Sequence, residues 1–213
     1  RAIFSETLRV NNLCTYDHAA AGLYTTVAFS LTGGNILKWF RNQFAEASSY
    51  EEVLAQMPSV PTRLLVLPYW TPSGTPHFDC DTPGVILGLR LSTSRGELIR
   101  ALLEGVAMEM RLNLQILEQA GCPLQELRAI GGGARCAAWN QLKADVLGKP
   151  LIKLEMSEAG CLGAAILACS ADTGRTVRDI AADWVKIAEC YQPDSHRAAY
   201  YNEQFDRYRG LRS

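Results

Sequence analysis

The chain has little that would place it at a membrane, on nucleic acid or around a metal. No apolar run is long enough to cross a bilayer, and no signal-peptide pattern is present in the 213 residues. Lys and Arg number 21 against 22 Asp and Glu, a net charge of −1, with no basic run and no aromatic-interleaved basic stripe. No nucleic-acid partner is expected. Histidine is scarce: His18, His77 and His196 have no metal-ligand spacing, and loop or surface roles account for them. The seven cysteines, at positions 14, 80, 122, 136, 161, 169 and 190, are odd in number and contain no Cys-x-x-Cys pair. Free thiols in a reducing cytosol are the simplest account, so no zinc site and a cytoplasmic location are expected. Gly-x-Gly-x-x-Gly is also absent, and no acidic residue is placed for a ribose, which argues against a Rossmann-type dehydrogenase domain.

What is present is an ordinary globular composition, 48% hydrophobic and 20% charged, in a length that suits one domain with a sizeable core. Residues 1–10 and 24–29 read as strands, with helices over 35–47 and 50–56 and a compact apolar run at 64–67. Residues 68–84 form a long loop with four prolines, either functional or inert covering for a sheet edge. Asp79 and Asp81 within it read as paired acids or Mg²⁺ ligands, or, more ordinarily, as turn formers. Ser94-Arg-Gly-Glu97 is a capping box opening a helix of about seven turns. Gly121 and Pro123 stop it at the expected offsets. Its apolar stripe (Leu98, Leu102, Val106, Met110, Leu114, Leu117, with Ile99 and Leu103 beside it) makes it a core helix. Residues 151–156 read as a strand. Ser157 is placed to cap a helix whose Gly160, Gly163, Ala164, Ala165 and Ala168 would let it lie very close to a neighbour. From Val177 onward two amphipathic helices broken at Pro193 are expected. Strands alternating with helices predict an α/β layer structure.

Residues 128–148 carry the strongest local signal. A short apolar strand over 127–130 runs into Gly131-Gly132-Gly133, and the chain then turns into a helix stopped by Gly148 and Pro150. Glycines at such a corner remove every Cβ where a ligand would touch backbone. The helix that follows aims unpaired N–H groups and partial positive charge at the same spot, the local chemistry of a phosphate or nucleotide site. Tight packing of a helix on a sheet is the competing account of the same three glycines.

Four segments, in order, set the run in a context. They are Thr32-Gly-Gly-Asn-Ile-Leu-Lys-Trp39-Phe; Gly84-Val-Ile-Leu-Gly88-Leu89 followed by Glu97-Leu98-Ile-Arg-Ala101-Leu102-Leu103-Glu104; the glycine run with Trp139, Gln141, Ala144-Asp145 and Gly148-Lys-Pro; and Glu158-Ala-Gly-Cys-Leu162-Gly-Ala-Ala165. Together they resemble the carboxy-terminal half of the FGGY carbohydrate kinases, the family of xylulose and glycerol kinases. Leu102 departs from the smaller or β-branched residue usual there. Ser73-Gly-Thr-Pro76 replaces a Gly-x-Arg-x-Pro common in relatives, which leaves the sugar class open.

The resemblance implies a ribonuclease-H-like α/β domain of the actin and sugar-kinase type, a mixed sheet flanked by helices, filling residues 1–213. It implies MgATP as cofactor and a small sugar or polyol as substrate. The proton-accepting aspartate and the first phosphate loop are expected in an amino-terminal domain outside this chain. A homodimer through uncovered apolar surface is a further expectation. By resemblance, Gly131, Gly132 and Gly133 present backbone to the nucleotide, Ala134 opens the helix against the base, and Cys136 lies beside it. Gly34 and, one turn on, Lys38 flank the nucleotide from the other side; a solvated surface lysine is the alternative for Lys38. Asp145 is expected to support the fold. The rival function from another class is a non-catalytic actin-like nucleotide-binding or sensor module.

Overall fold

The computed structural model describes residues 5–156 and 158–211. In chain order the elements are α1 (Glu6–Val10), β1 (Cys14–Asp17), β2 (Tyr24–Val27), α2 (Asn35–Phe44), α3 (Tyr50–Ala55), β3 (Leu65–Leu67), β4 (Val85–Leu87), α4 (Arg95–Gln119) and β5 (Leu127–Ala129). A single 3-10 turn (Gly132–Ala134) follows, then α5 (Ala137–Leu147), β6 (Leu151–Leu154), α6 (Ala159–Thr173), α7 (Val177–Trp184), β7 (Ile187–Tyr191) and α8 (Ser195–Gly210).

The architecture is organised around α4. Its capping box forms as the sequence predicts: Ser94 Oγ accepts from the Glu97 backbone N–H at 3.2 Å while Glu97 Oε2 accepts from the Ser94 N–H at 2.8 Å. The apolar residues do not all reach the same depth. Ile99, Leu103 and Ala107 are completely sealed, whereas Met110, Leu114 and Leu117 are half-buried. From 99 to 109 the helix is enclosed on every side, because α2, α3, α5 and β3 all pack against it. Gly105 is required there: a Cβ on it would stand 2.7 Å from the Val66 carbonyl oxygen, so only glycine lets β3 cross so close. Ile36, Phe40, Val53, Leu142, Tyr201 and Phe205 complete the main apolar cluster. A smaller one (Leu8, Leu13, Ile116, Ala120) fastens the first turn of the chain to the end of α4.

Enclosure of α4 brings charge into the core. Arg100 donates through Nε to Glu104 Oε1 at 2.8 Å, through Nη1 to the Pro58 carbonyl at 2.8 Å, and through Nη2 to the Tyr201 hydroxyl at 2.9 Å. Tyr201 donates in turn to Glu104 Oε1 at 2.7 Å, and Thr62 Oγ1 donates to Glu104 Oε2 at 2.7 Å. Burial pushes the Glu104 carboxyl above its ordinary value, opposed by the bonds from Tyr201, Thr62 and Arg100. One turn on, Glu109 accepts from the hydroxyls of Tyr208 and Tyr69, and Asn113 bonds the Thr75 backbone and side chain. These contacts lock α8 and the proline-rich loop onto α4.

Several sequence expectations are corrected. Residues 6–10, expected in a strand over 1–10, form α1, because Ser5 Oγ caps the Leu8 N–H and Glu6 pairs with Arg9 across one turn. Residues 1–4 lie outside the described residues, as does Ser157. The strands flanked by helices divide among the described residues into three small sheets: β1–β2, β3–β4 and β5–β6–β7. The third alone is mixed, with β5 parallel and β7 antiparallel to β6. The tail is not two helices alone. Ile187–Tyr191 forms β7, whose hydrogen bonds come from the distant β6 and override local helix preference. α6 packs against α7, but its small residues face no close neighbour among the described residues: Ile166 is its one buried residue, and a Cβ at Gly160 or Gly163 would meet nothing within 4 Å.

Arg100→Met should cost about 3 kcal/mol or more, since it leaves Glu104 charged, buried and without its cation. Arg100→Met/Glu104→Met should recover most of that loss. Urea midpoints of the two variants and the parent chain measure both; equal midpoints for Arg100→Met and the parent would show that the pair contributes nothing.

Candidate functional site

β5 runs parallel to β6, with Leu127 opposite Leu151, and delivers the chain to the glycine corner. Gly131 has φ +75° and ψ −168°, a combination that residues with a Cβ hardly adopt. It starts the 3-10 turn, whose bonds are Ala134 N–H to the Gly131 carbonyl at 3.1 Å and Arg135 N–H to the Gly132 carbonyl at 3.2 Å. The corner is therefore a turn followed by a helix rather than an immediate helix: Cys136 is extended and caps α5, which begins at Ala137. Gly148, at φ +63°, ends α5 as expected.

Gly131 and Gly132 are exposed, and a Cβ on Gly132 would meet nothing within 4 Å. The outer face of the turn is thus open backbone. Its inner face is filled: a Cβ on Gly133 would lie 3.2 Å from the Trp139 ring, and Ala134 is buried. Asn140 Nδ2 donates to the Ala134 carbonyl at 2.8 Å. Ala134 consequently supports the turn from within instead of facing outward at the helix start. Asn140 Oδ1 and Trp139 Nε1 are sealed behind the corner without a partner among the described residues, a local cost the fold bears there.

Lys143, which sequence reasoning did not single out, completes the inner side. Its Nζ donates to the Gly133 carbonyl at 3.2 Å and lies 5.0 Å from the centre of the Trp139 ring. Helix geometry makes this possible, because a side chain at 143 leans back over 139 toward the start of α5. Burial lowers its pKa from 10.5 to about 8, and the nearby Cys136 thiol acts the other way. The spacing Trp139 to Lys143 was the available signal, hidden because a lysine in a helix ordinarily reads as a solvated residue.

Gly34 caps α2 with no side chain of its own, and its carbonyl accepts from the Lys38 N–H at 3.3 Å. Lys38 is exposed, and its side chain makes no hydrogen bond or ion pair among the described residues. No hydrogen bond joins Gly34 or Lys38 to the glycine corner among the described residues; α2 and α5 both contribute to the apolar cluster that holds Ile36, Leu37, Trp139 and Leu142. The two helices share another property. Among the described helices, α1, α3, α4, α7 and α8 have Ser5, Ser49, Ser94, Thr176 and Asp194 bonded to their first N–H groups. The starts of α2 and α5 have no such bond and no acidic residue at the cap or in the first turn. Their N–H groups and dipole remain available to an anion.

Asp145 is buried and structural: it accepts from Gln141 at 2.8 Å, from the Asp194 N–H at 2.9 Å and from Arg197 at 3.1 Å, anchoring α8. Asp79 folds its own loop by accepting from the N–H groups of Asp81 and Thr82. The cysteines are all free. Among the described residues no group of three or more His, Cys, Asp or Glu is placed to hold a metal, and no helix is long and apolar enough to cross a membrane.

With the glycine corner, the uncapped starts of α2 and α5 and the core helix in place, comparison with known proteins is informative. The sequence model of the carboxy-terminal domain of the FGGY family of carbohydrate kinases matches residues 6–171. The chain belongs to this family. It is 28% identical over 200 residues to a xylulose kinase of Bacillus subtilis (strain 168), covering 92% of this chain and 40% of that protein. It is 34% identical over 185 residues to a glycerol kinase of Methylorubrum extorquens (strain PA1), covering 78% of this chain and 37% of that protein. The solved xylulose kinase of Rhodospirillum rubrum superposes with a TM-score of 0.80 at 29% identity, over 93% of this chain and 41% of that one. The FGGY chain therefore has the ribonuclease-H-like fold of sugar kinases, here with helices around small sheets, and spans about two fifths of the length of these relatives.

The buried lysine gives this FGGY domain a measurable alkaline signature. Lys143 has a lower pKa folded than unfolded, so between about pH 8 and 10.5 the unfolded chain binds a proton that the folded one has released. Stability must rise with pH across that window. Relative to Lys143→Met, the parent chain should gain about 2 kcal/mol by pH 9.5. Denaturant titrations at pH 7.5 and 9.5 test this, and parallel behaviour of parent and variant would show that Lys143 is not desolvated.

Proposed function

We propose that the chain is the nucleotide-binding portion of a carbohydrate kinase that passes a phosphoryl group from MgATP to a hydroxyl of a small sugar or polyol. The observation that carries this reading is the open backbone at Gly131 and Gly132, set beside a helix start that no side chain caps. Such a surface offers N–H donors and partial positive charge to a phosphate without a Cβ in the way. Gly34, at the other uncapped start, and the free ammonium of Lys38 flank the nucleotide from α2. Lys143 holds the Gly133 carbonyl inward, so the N–H side of the turn keeps its outward orientation. Cys136, half-exposed at the α5 cap, lines the base side by shape and not by a strong hydrogen bond.

Bound ATP supplies the transferable group. Positioning and charge stabilisation dominate phosphoryl transfer, and a carboxylate must take the proton of the attacking hydroxyl. The described residues at the corner offer no such carboxylate, since Asp145 is consumed in anchoring α8, and they do not build a site for Mg²⁺. Both belong to an amino-terminal domain of the longer protein in this reading. The uncovered parts of the fold are consistent with such a partner. The β1–β2 hairpin is exposed on both faces, α6 is apolar yet open, and a two-stranded hairpin alone is barely stable in water. Closure of the two domains over the nucleotide would exclude water and align the phosphate with the hydroxyl.

Two outcomes follow for the 213-residue chain. It should show no sugar-dependent ATP turnover in a coupled assay with xylulose or glycerol; turnover would place the proton acceptor within this chain. Gly132→Val should melt within a few degrees of the parent, because its added atoms meet open space, yet lose about tenfold or more in ADP affinity by calorimetry. Unchanged ADP affinity in the folded variant would move the nucleotide away from the corner.

A further inference from the structure

One recess in the molecule has no part in the nucleotide reading. It is open, encloses about 410 Å³, and shares no wall residue with the glycine corner. Its walls come from three places in the sequence. Arg63 stands just before β3 and Arg90 just after β4, and the antiparallel register Leu65 opposite Leu87 brings those two strand ends together. The third wall is one face of α8, where Tyr200, Gln204 and Arg207 recur at helical spacing. Gly88 and Leu89, just past the end of β4, also line the recess.

The charge in this recess is one-sided. Three guanidinium groups line it and no carboxylate does, in a chain whose net charge is −1. The side chains of Arg63 and Arg90 make no hydrogen bond or ion pair among the described residues. Arg207 is aimed: its Nη1 donates at 2.8 Å to Oε1 of Gln204, itself 5% exposed. Tyr200 is fixed by its hydroxyl, which donates to the Thr62 carbonyl at 2.5 Å. The carboxylates felt at the Tyr200 phenol are Glu104, already paired with Arg100 inside the core, and Glu203, which does not line the recess. Three cations drawn to one concavity repel each other unless an anion joins them, and the planar forks of arginine match the oxygens of a phosphate. The volume suits a small organic molecule.

We propose that Arg63, Arg90 and Arg207, with Tyr200 and Gln204, form a binding site for a small phosphorylated compound carrying at least two negative charges, separate from the nucleotide corner. The arginines take its phosphate oxygens, and the Tyr200 ring and Leu89 face its less polar part.

The test is calorimetric titration of the 213-residue chain with sodium pyrophosphate at low ionic strength, against sodium chloride of matched ionic strength and against sodium citrate. Pyrophosphate should bind, and citrate more weakly. Arg63→Gln/Arg90→Gln/Arg207→Gln should lose about tenfold or more in affinity, the effect of removing one or more charge-assisted hydrogen bonds, with an unchanged melting temperature in the absence of anion. Each titration is repeated in the Gly132→Val background, which removes phosphate binding at the glycine corner, and the loss caused by the arginine substitutions should persist there. Should the triple variant fail to fold, Arg90→Gln alone, whose side chain holds nothing else in place, must still weaken binding several-fold. No binding beyond the chloride control, equal binding of citrate, retention of affinity in the arginine variants, or absence of the arginine effect in the Gly132→Val background would each overturn the proposal.

Discussion

Enclosing a charged helix is the constraint on which this structure turns. Helix α4 presents Arg100, Glu104 and Glu109 to the interior alongside Ile99, Leu103 and Ala107, so the elements around it must supply hydrogen bonds as well as apolar contact. Tyr201 and Tyr208 do so from α8, Thr62 and Pro58 from the loop before β3, and Tyr69 from the start of the proline-rich loop. A buried ion pair is a poor source of net stability, but breaking it is costly, so its worth lies in fixing one arrangement of neighbours. That arrangement sets where α8 lies, and through Asp145 and Asp194 it sets where α5 lies as well. The glycine corner at the front of α5 is positioned at the end of this chain of contacts.

At the corner, side chains are withheld on one face and concentrated on the other. Outside are exposed glycine backbone and a helix start without a cap; inside are Trp139, Asn140 and Lys143, all pressed against the turn. The nucleotide role proposed for the turn needs both properties, since bare backbone is useful to a phosphate only if it is held still. The buried Lys143 ammonium is expensive to desolvate, and its hold on the Gly133 carbonyl is the compensating contact.

Parts of the surface stay open. The α6 helix is rich in Ala, Gly and Leu and buries one residue, and most of the β1–β2 hairpin is exposed. These areas are where the amino-terminal domain proposed above would make contact.

Much of this protein is determined locally. The capping box at Ser94 and Glu97, the stops at Gly121 and Gly148, and the glycine corner after a short strand all follow from residues within a few positions of each other, because caps and tight turns are short-range chemistry. The four ordered motifs that mark the family are likewise contiguous stretches. What the sequence alone could not decide depends on distant partners. Ile187–Tyr191 is a strand because β6 lies beside it. The small residues of α6 suggest a close neighbour that the described residues do not provide. Lys143 looks like a solvated helix residue until Trp139 and Gly133 close over it. Arg63, Arg90 and Arg207 are unremarked in the sequence and meet around one recess only because a hairpin register and a helix face, far apart along the chain, are folded against each other.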